Sequence, residues 1–158
     1  MREQTGEFEL DDDPDRVDLE RVWAFLSEHA YWSRWRSRHH VEAQLRNAWR
    51  VVAAYTSLDG QMVGFARAIS DGVAFAYLAD LYVLHDVRGR RLGSELVRFM
   101  IDAGPGADFR WALHTADAHR LYERFGFAVP DSTYMERPST RPAVDDGDRN
   151  QSGHGESD

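Results

Sequence analysis

Three strand-like runs separated by two Asp-Gly turns, then an amphipathic helix and a further short strand, leave this chain very few folds to adopt. The apolar runs 49–56 and 62–69 flank Leu58-Asp59-Gly60-Gln61, and Asp-Gly between such runs is a strong short-range hairpin signal. A second pair, Asp71-Gly72, leads into a third run at 73–84. If that turn has two residues, Ser70 faces Val73 and Arg67 faces Ala76. Asp80 then lies four residues further along, roughly 13 Å away at about 3.3 Å per residue. The helix expected at 90–103 carries Leu92, Leu96, Phe99 and Met100 on one stripe and ends at Gly104-Pro105-Gly106. A strand at 109–113 follows. Strand, helix, strand is a crossover, and its two strands run parallel. An antiparallel meander feeding one parallel crossover is an α+β fold on a mixed antiparallel/parallel sheet.

The flanking segments add about three more helices. A short strand is expected at 7–10. After it, Asp13 can cap a helix, Pro14 suits its first position and Asp15 complements its dipole. Leu19, Val22, Trp23 and Leu26 supply the core stripe of that helix. Ser37 caps a second helix that buries Val41, Leu45 and Ala48. Near the end, Ala118, Leu121, Tyr122 and Phe125 share a face of a helix stopped by Gly126, and a strand pair is expected at 127–129 and 134–136. The predicted order is β-α-α-β-β-β-α-β-α-β-β, one domain over residues 1–137. Residues 138–158 hold one valine, one alanine and no aromatic, so they read as a disordered acidic tail.

Several function classes fall away on composition. The net charge of −8 argues against a nucleic-acid partner, which needs a basic surface. No apolar run approaches the roughly 18 residues of a membrane span, and the acidic N-terminus has no apolar core of a secretory signal. There are no cysteines, so disulfides, thiolate nucleophiles and cysteine metal sites are absent. His39 and His40 are adjacent, and no H-E-x-x-H spacing occurs, so no metal is expected. A cytoplasmic protein is expected. All 19 basic residues are arginine, which reads as a composition bias rather than a functional signal.

The chemistry concentrates between the third run and the following helix. Arg88-Gly89-Arg90-Arg91-Leu92-Gly93-Ser94 places glycines and three arginines at a helix start. Unpaired N–H groups there make an anion site, glycine lets the backbone approach closely, and guanidinium forks match phosphate. A diphosphate is the natural guest. The stretch is neither a Walker A loop nor a dinucleotide fingerprint.

This segment resembles the R/Q-x-x-G-x-G/A motif of the GNAT acetyltransferases. Ala118-His119-Arg120-Leu121-Tyr122-Glu123-Arg124-Phe125-Gly126-Phe127 resembles the family's A-x-x-L-Y-E-x-x-G-F signature. The resemblance implies the GNAT fold and acetyl-CoA as co-substrate, with its pyrophosphate on the amides of 88–94. It also implies that backbone groups of Leu81, Tyr82 and Val83 pair with the pantetheine arm as an extra strand would. Thr115 stands where the family usually has an asparagine, and can cap the last helix. The family's central glycine falls on Arg91, whose N–H still points at phosphate if its φ stays negative. Homodimers are common in the family, though no clean interface stripe is evident in this chain.

Acetyl transfer to an amine needs a neutral nucleophile and a proton for the leaving thiolate. The resemblance places Tyr122 as that acid, and its hydroxyl is a donor at neutral pH. Asp80, a carboxylate in an apolar strand, is the expected base or amine ligand, with His114 as a second base candidate. A salt bridge from Asp80 to Arg67 is the competing reading, weakened by the two-residue turn. Tyr31, Trp32, Arg34 and Arg36 interleave aromatics with arginines in the connection that commonly frames the acceptor in the family. They are expected to receive an acceptor with a carboxylate or aromatic portion, with a tryptophan-anchored lid as the alternative. The functional expectation is transfer to a primary amine of a small molecule or peptide. A non-catalytic acetyl-CoA sensor is the rival.

Overall fold

The computed structural model describes residues 1–30 and 35–141. Six strands in these residues form one sheet in the order β1-β2-β3-β4-β5-β6. They are β1 (Arg2–Thr5), β2 (Phe8–Asp11), β3 (Arg50–Thr56), β4 (Met62–Ser70), β5 (Phe75–Val83) and β6 (Arg110–Leu113). Neighbours run antiparallel except β5 and β6, which run parallel. The helices are α1 (Leu19–Glu28), α2 (Arg38–Arg46), α3 (Leu92–Met100) and α4 (His119–Glu123). The chain forms two compact units. Met1–Val17 with Ala48–Pro130 holds the sheet, α3 and α4; Asp18–Asn47 with the described chain from Asp131 holds α1 and α2.

In the sheet unit α3 is the crossover helix between β5 and β6. Its buried stripe is the expected one with Val97 added, and it packs with Phe8, Leu10, Val52, Ala54, Ala66 and Ala68. Period-two alternation sends Phe65, Arg67, Asp80 and Tyr82 to the other face, where the Phe65 and Tyr82 rings lie 5.9 Å apart. All four are buried.

In the helical unit Asp18 caps α1 by accepting from the Arg21 N–H, and Val22, Phe25 and Leu26 are buried. Ser37 caps α2 as expected, in a capping box completed by His40, and Val41 is buried beneath it. Arg38 on α2 pairs with Glu20 on α1.

Four expectations are corrected. The first helix does not begin at Asp13: that residue caps a separate 3-10 turn, Pro14–Arg16, and α1 starts from its own aspartate five residues later. The N-terminus forms a hairpin rather than a single strand. Its outer strand β1 has no apolar residue, and ion pairs of Arg2 with Asp11 (2.8 Å) and Glu3 with Arg98 (2.5 Å) tie it to β2 and α3. Neither 127–129 nor 134–136 forms a strand; Phe127 instead packs edge-on against Tyr122, ring centroids 5.8 Å apart.

The fourth correction is the second turn. Asp71 does not sit in a two-residue turn. Its carboxylate accepts from the N–H groups of Val73, Ala74 and Phe75, closing a longer loop between β4 and β5, and those bonds hold its carboxyl below the usual range. Ser70 therefore faces Ala76, and a bulge after Arg67 brings that residue opposite Asp80.

Candidate active site

The parallel pairing of β5 and β6 ends at Leu78 and Leu113. β5 continues to Val83 while β6 stops, so residues 79–83 present an edge that no strand among the described residues covers. The Leu84 N–H donates to Val63 O on β4. Backbone groups alternate in direction along a strand, so those of Tyr82 also point to β4 and those of Leu81 and Val83 point to the open edge. The Arg88 Nε donates to Val83 O at 3.1 Å from that side.

The chain then turns into α3. Gly89 has φ +80° and Arg91, the residue before the helix, has φ +64°. The condition of a negative φ at Arg91 is not met: arginine occupies the left-handed conformation that glycine adopts without strain. For an L residue this costs about 1–2 kcal/mol, partly offset by the entropy a glycine would lose. Arg91→Gly is thus expected to raise the melting temperature by about 2 °C, from a gain of about 0.5–1 kcal/mol; thermal unfolding checks this. No side chain caps the first N–H groups of α3. Arg90 is held beside the turn by Glu7 at 2.9 Å. Leu92 is buried, Gly93 and Ser94 are half-buried, and Arg88, Gly89, Arg90 and Arg91 are exposed.

After β6, Thr115 Oγ1 accepts from the Ala118 N–H at 3.0 Å, so it caps the turn that leads into α4. Tyr122 lies on α4 with only 8% of its surface exposed. Burial, reinforced by the charge of Asp117, pushes its phenol up to about 12.

Asp80 does not stand alone in its strand. Arg67 Nε donates to its Oδ2 at 2.8 Å, with both residues buried, so the register that separated them is overturned by the bulge. The carboxylate thus neutralises a buried guanidinium. Asp80→Asn should cost about 3 kcal/mol by leaving that charge uncompensated, seen as a lower urea midpoint with unchanged slope. Tyr31, Trp32 and Arg34 lie outside the described residues. Arg36 is buried and donates to Gln44 Oε1 at 3.0 Å, with its guanidinium 5.6 Å from the Trp35 ring.

The sequence reading missed Tyr77. Its hydroxyl lies 2.6 Å from His114 Nδ1, joining β5 to the residue just after β6. A tyrosine alternating with buried residues reads as core, and only the parallel register reveals the pair.

Comparison with known proteins identifies the family. The acetyltransferase (GNAT) family model matches residues 10–127. A Xanthomonas campestris pv. campestris protein described as a GNAT-family acetyltransferase is 29% identical, with TM-score 0.78 over 86% of this chain and 96% of its own. An acetyltransferase structure from Deinococcus radiodurans R1 is 25% identical, with TM-score 0.63 over 87% and 94%. A meticillin-resistant Staphylococcus aureus protein at 22% identity and TM-score 0.69, over 84% and 98%, shares the fold. No curated protein matches the chain. With the family model spanning the sheet from β2 through α4, and with solved relatives covered almost end to end, this chain belongs to the GNAT acetyltransferases and is an acyltransferase.

Proposed function

We propose that the protein is a cytoplasmic N-acetyltransferase that moves the acetyl group of acetyl-CoA directly to a primary amine of a small molecule or peptide, within a ternary complex. The observation that carries this reading is the open edge of β5 leading into the uncapped start of α3. The residues fit the co-substrate. Backbone groups of Leu81 and the N–H of Val83 would hold the pantetheine amides, as an added strand does, with Arg88 Nε already on Val83 O and Tyr82 keeping the intervening residue on β4. The pyrophosphate would lie on the amides of Gly89, Arg90 and Leu92 to Ser94, where helix-end N–H groups and the dipole favour anions. Arg88, Arg90 and Arg91 would add positive charge, and Thr115, at the start of the turn into α4, would face the co-substrate. Acetyl-CoA supplies the activated acyl group.

Tyr122 protonates the departing sulfur: a phenol pushed up to about 12 remains a donor throughout the neutral range. Asp80 contributes by neutralising Arg67 beside the bulge in β5, where the open edge begins.

Calorimetry with acetyl-CoA, followed by thiol release over a panel of alkylamines, polyamines, amino acids and peptides, tests the reading. Binding with turnover of at least one amine class is expected. Binding with no turnover across the panel would leave a sensor in place of an enzyme.

A further inference from the structure

The last rung of the β5–β6 ladder is Leu78 opposite Leu113. Tyr77 precedes it on β5 and His114 follows it immediately after the end of β6. Leu78 belongs to the core cluster packed around α3 and Leu113, partly buried, packs against it, so alternation sends Tyr77 and His114 to the opposite face of the sheet. There the Tyr77 hydroxyl and His114 Nδ1 meet at 2.6 Å, with the rings 5.8 Å apart. The pair thus stands at the vertex where the two strands separate. His114 is exposed, unlike Asp80, which is buried against Arg67. Its backbone is fixed on one side by β6 and on the other by the Thr115 turn. The same turn leads directly into α4 and Tyr122.

We infer that His114 is the general base that deprotonates the acceptor amine, and that Tyr77 is the positioning residue that selects its tautomer. The inference rests on the N-acetyltransferase reading above. For Nε2 to accept a proton, Nδ1 must carry one and donate it to Tyr77 Oη. The arriving R–NH3+ gives one proton to Nε2 and becomes R–NH2. Its lone pair forms the C–N bond to the acetyl carbon, and the C–S pair leaves with sulfur, which takes the Tyr122 proton. The nitrogen's second surplus proton returns through water to the Tyr122 phenolate. The imidazolium releases its proton to solvent, so one proton is freed per turnover.

Two measurements test this without a known acceptor. In the 15N spectrum of histidine-labelled protein, the resonances lost in His114→Gln should be those of an Nδ1–H tautomer, and Tyr77→Phe should shift them toward Nε2–H. An Nε2–H tautomer in the wild type would overturn the assignment. Kinetics then compare ethylamine, an ammonium at neutral pH, with hydroxylamine, which is already neutral and needs no base. The ethylamine-to-hydroxylamine rate ratio should fall about 100-fold in His114→Gln and about 10-fold in Tyr77→Phe, while calorimetric affinity for acetyl-CoA stays unchanged in both. An unaltered ratio would reject His114 as the base even if both rates dropped. If the wild type bound acetyl-CoA but used neither these probes nor any amine of the panel above, the transfer reading would fail first and this inference with it.

Discussion

Gly104→Ala should destabilise the protein by about 4 kcal/mol, near the upper end for a single added methyl. A Cβ at this position would lie 1.8 Å from Arg50 Nη1 and 2.6 Å from Met100 O. Neither neighbour can yield easily. Arg50 is buried, its Nη1 donates to Phe99 O (2.8 Å) and Met100 O (2.7 Å), and its Nη2 reaches Asp12 at 3.0 Å. The guanidinium therefore terminates α3 from inside the sheet unit and supplies partners for carbonyls that a helix end leaves open. Displacing it strands those carbonyls and buries a charge away from Asp12, at about 1–3 kcal/mol for each unsatisfied group. Chemical unfolding of Gly104→Ala, Arg50→Met and the double variant would check this. The two changes should be strongly non-additive, because the methyl collides chiefly with the side chain that the second change removes. A cost below about 1 kcal/mol for Gly104→Ala would mean that the guanidinium moves aside freely.

This cap explains part of what sequence reasoning reached and what it did not. The glycines at 104 and 106 read correctly as a helix end, but the agent that ends α3 is an arginine 54 residues earlier, beyond the reach of local pattern. The meander and crossover were legible because β3, β4 and β5 bury apolar residues between turn signals, and α3 has a full stripe. β1 was not legible, since its sequence REQT shows no alternation and its stabilisation comes from charges on other elements. Two aspartates five residues apart both satisfy the rules for a helix start. Only the structure shows that one closes a 3-10 turn and the other opens α1.

In the candidate site the same division holds. The Arg88–Ser94 turn announced itself by residue type, because anion chemistry is written in glycines and arginines. The relation of Arg67 to Asp80 depended on a loop closed by one carboxylate and on a one-residue bulge. A slip of that size changes which side chains meet across a strand pair. The Tyr77–His114 contact requires a parallel register that joins residues 37 apart in sequence.

Tyr122→Phe carries the largest expected effect on activity. If the phenol donates the proton that the thiolate needs, its loss should lower kcat/KM by about 100-fold or more, near 3 kcal/mol of transition-state stabilisation. Acetyl-CoA affinity should hold, because the ring and its edge contact with Phe127 remain. The pH dependence separates an acid from a packing residue. Burial and Asp117 raise the phenol to about 12, so it stays protonated, and the fold-loss should be constant, between about pH 6 and 9. Stability gives a second reading. A group whose folded pKa is raised leaves the fold undiminished below its unfolded value, near 10, and weakens it as the pH climbs toward 12. Wild-type protein should therefore lose melting temperature in that window, and Tyr122→Phe should lose less. Tyr55, also pushed up to about 12, with burial the largest cause, would maintain the remaining decline in both. Wild-type kinetics in Tyr122→Phe, combined with the altered alkaline melting, would place the hydroxyl in the core and remove it from the reaction.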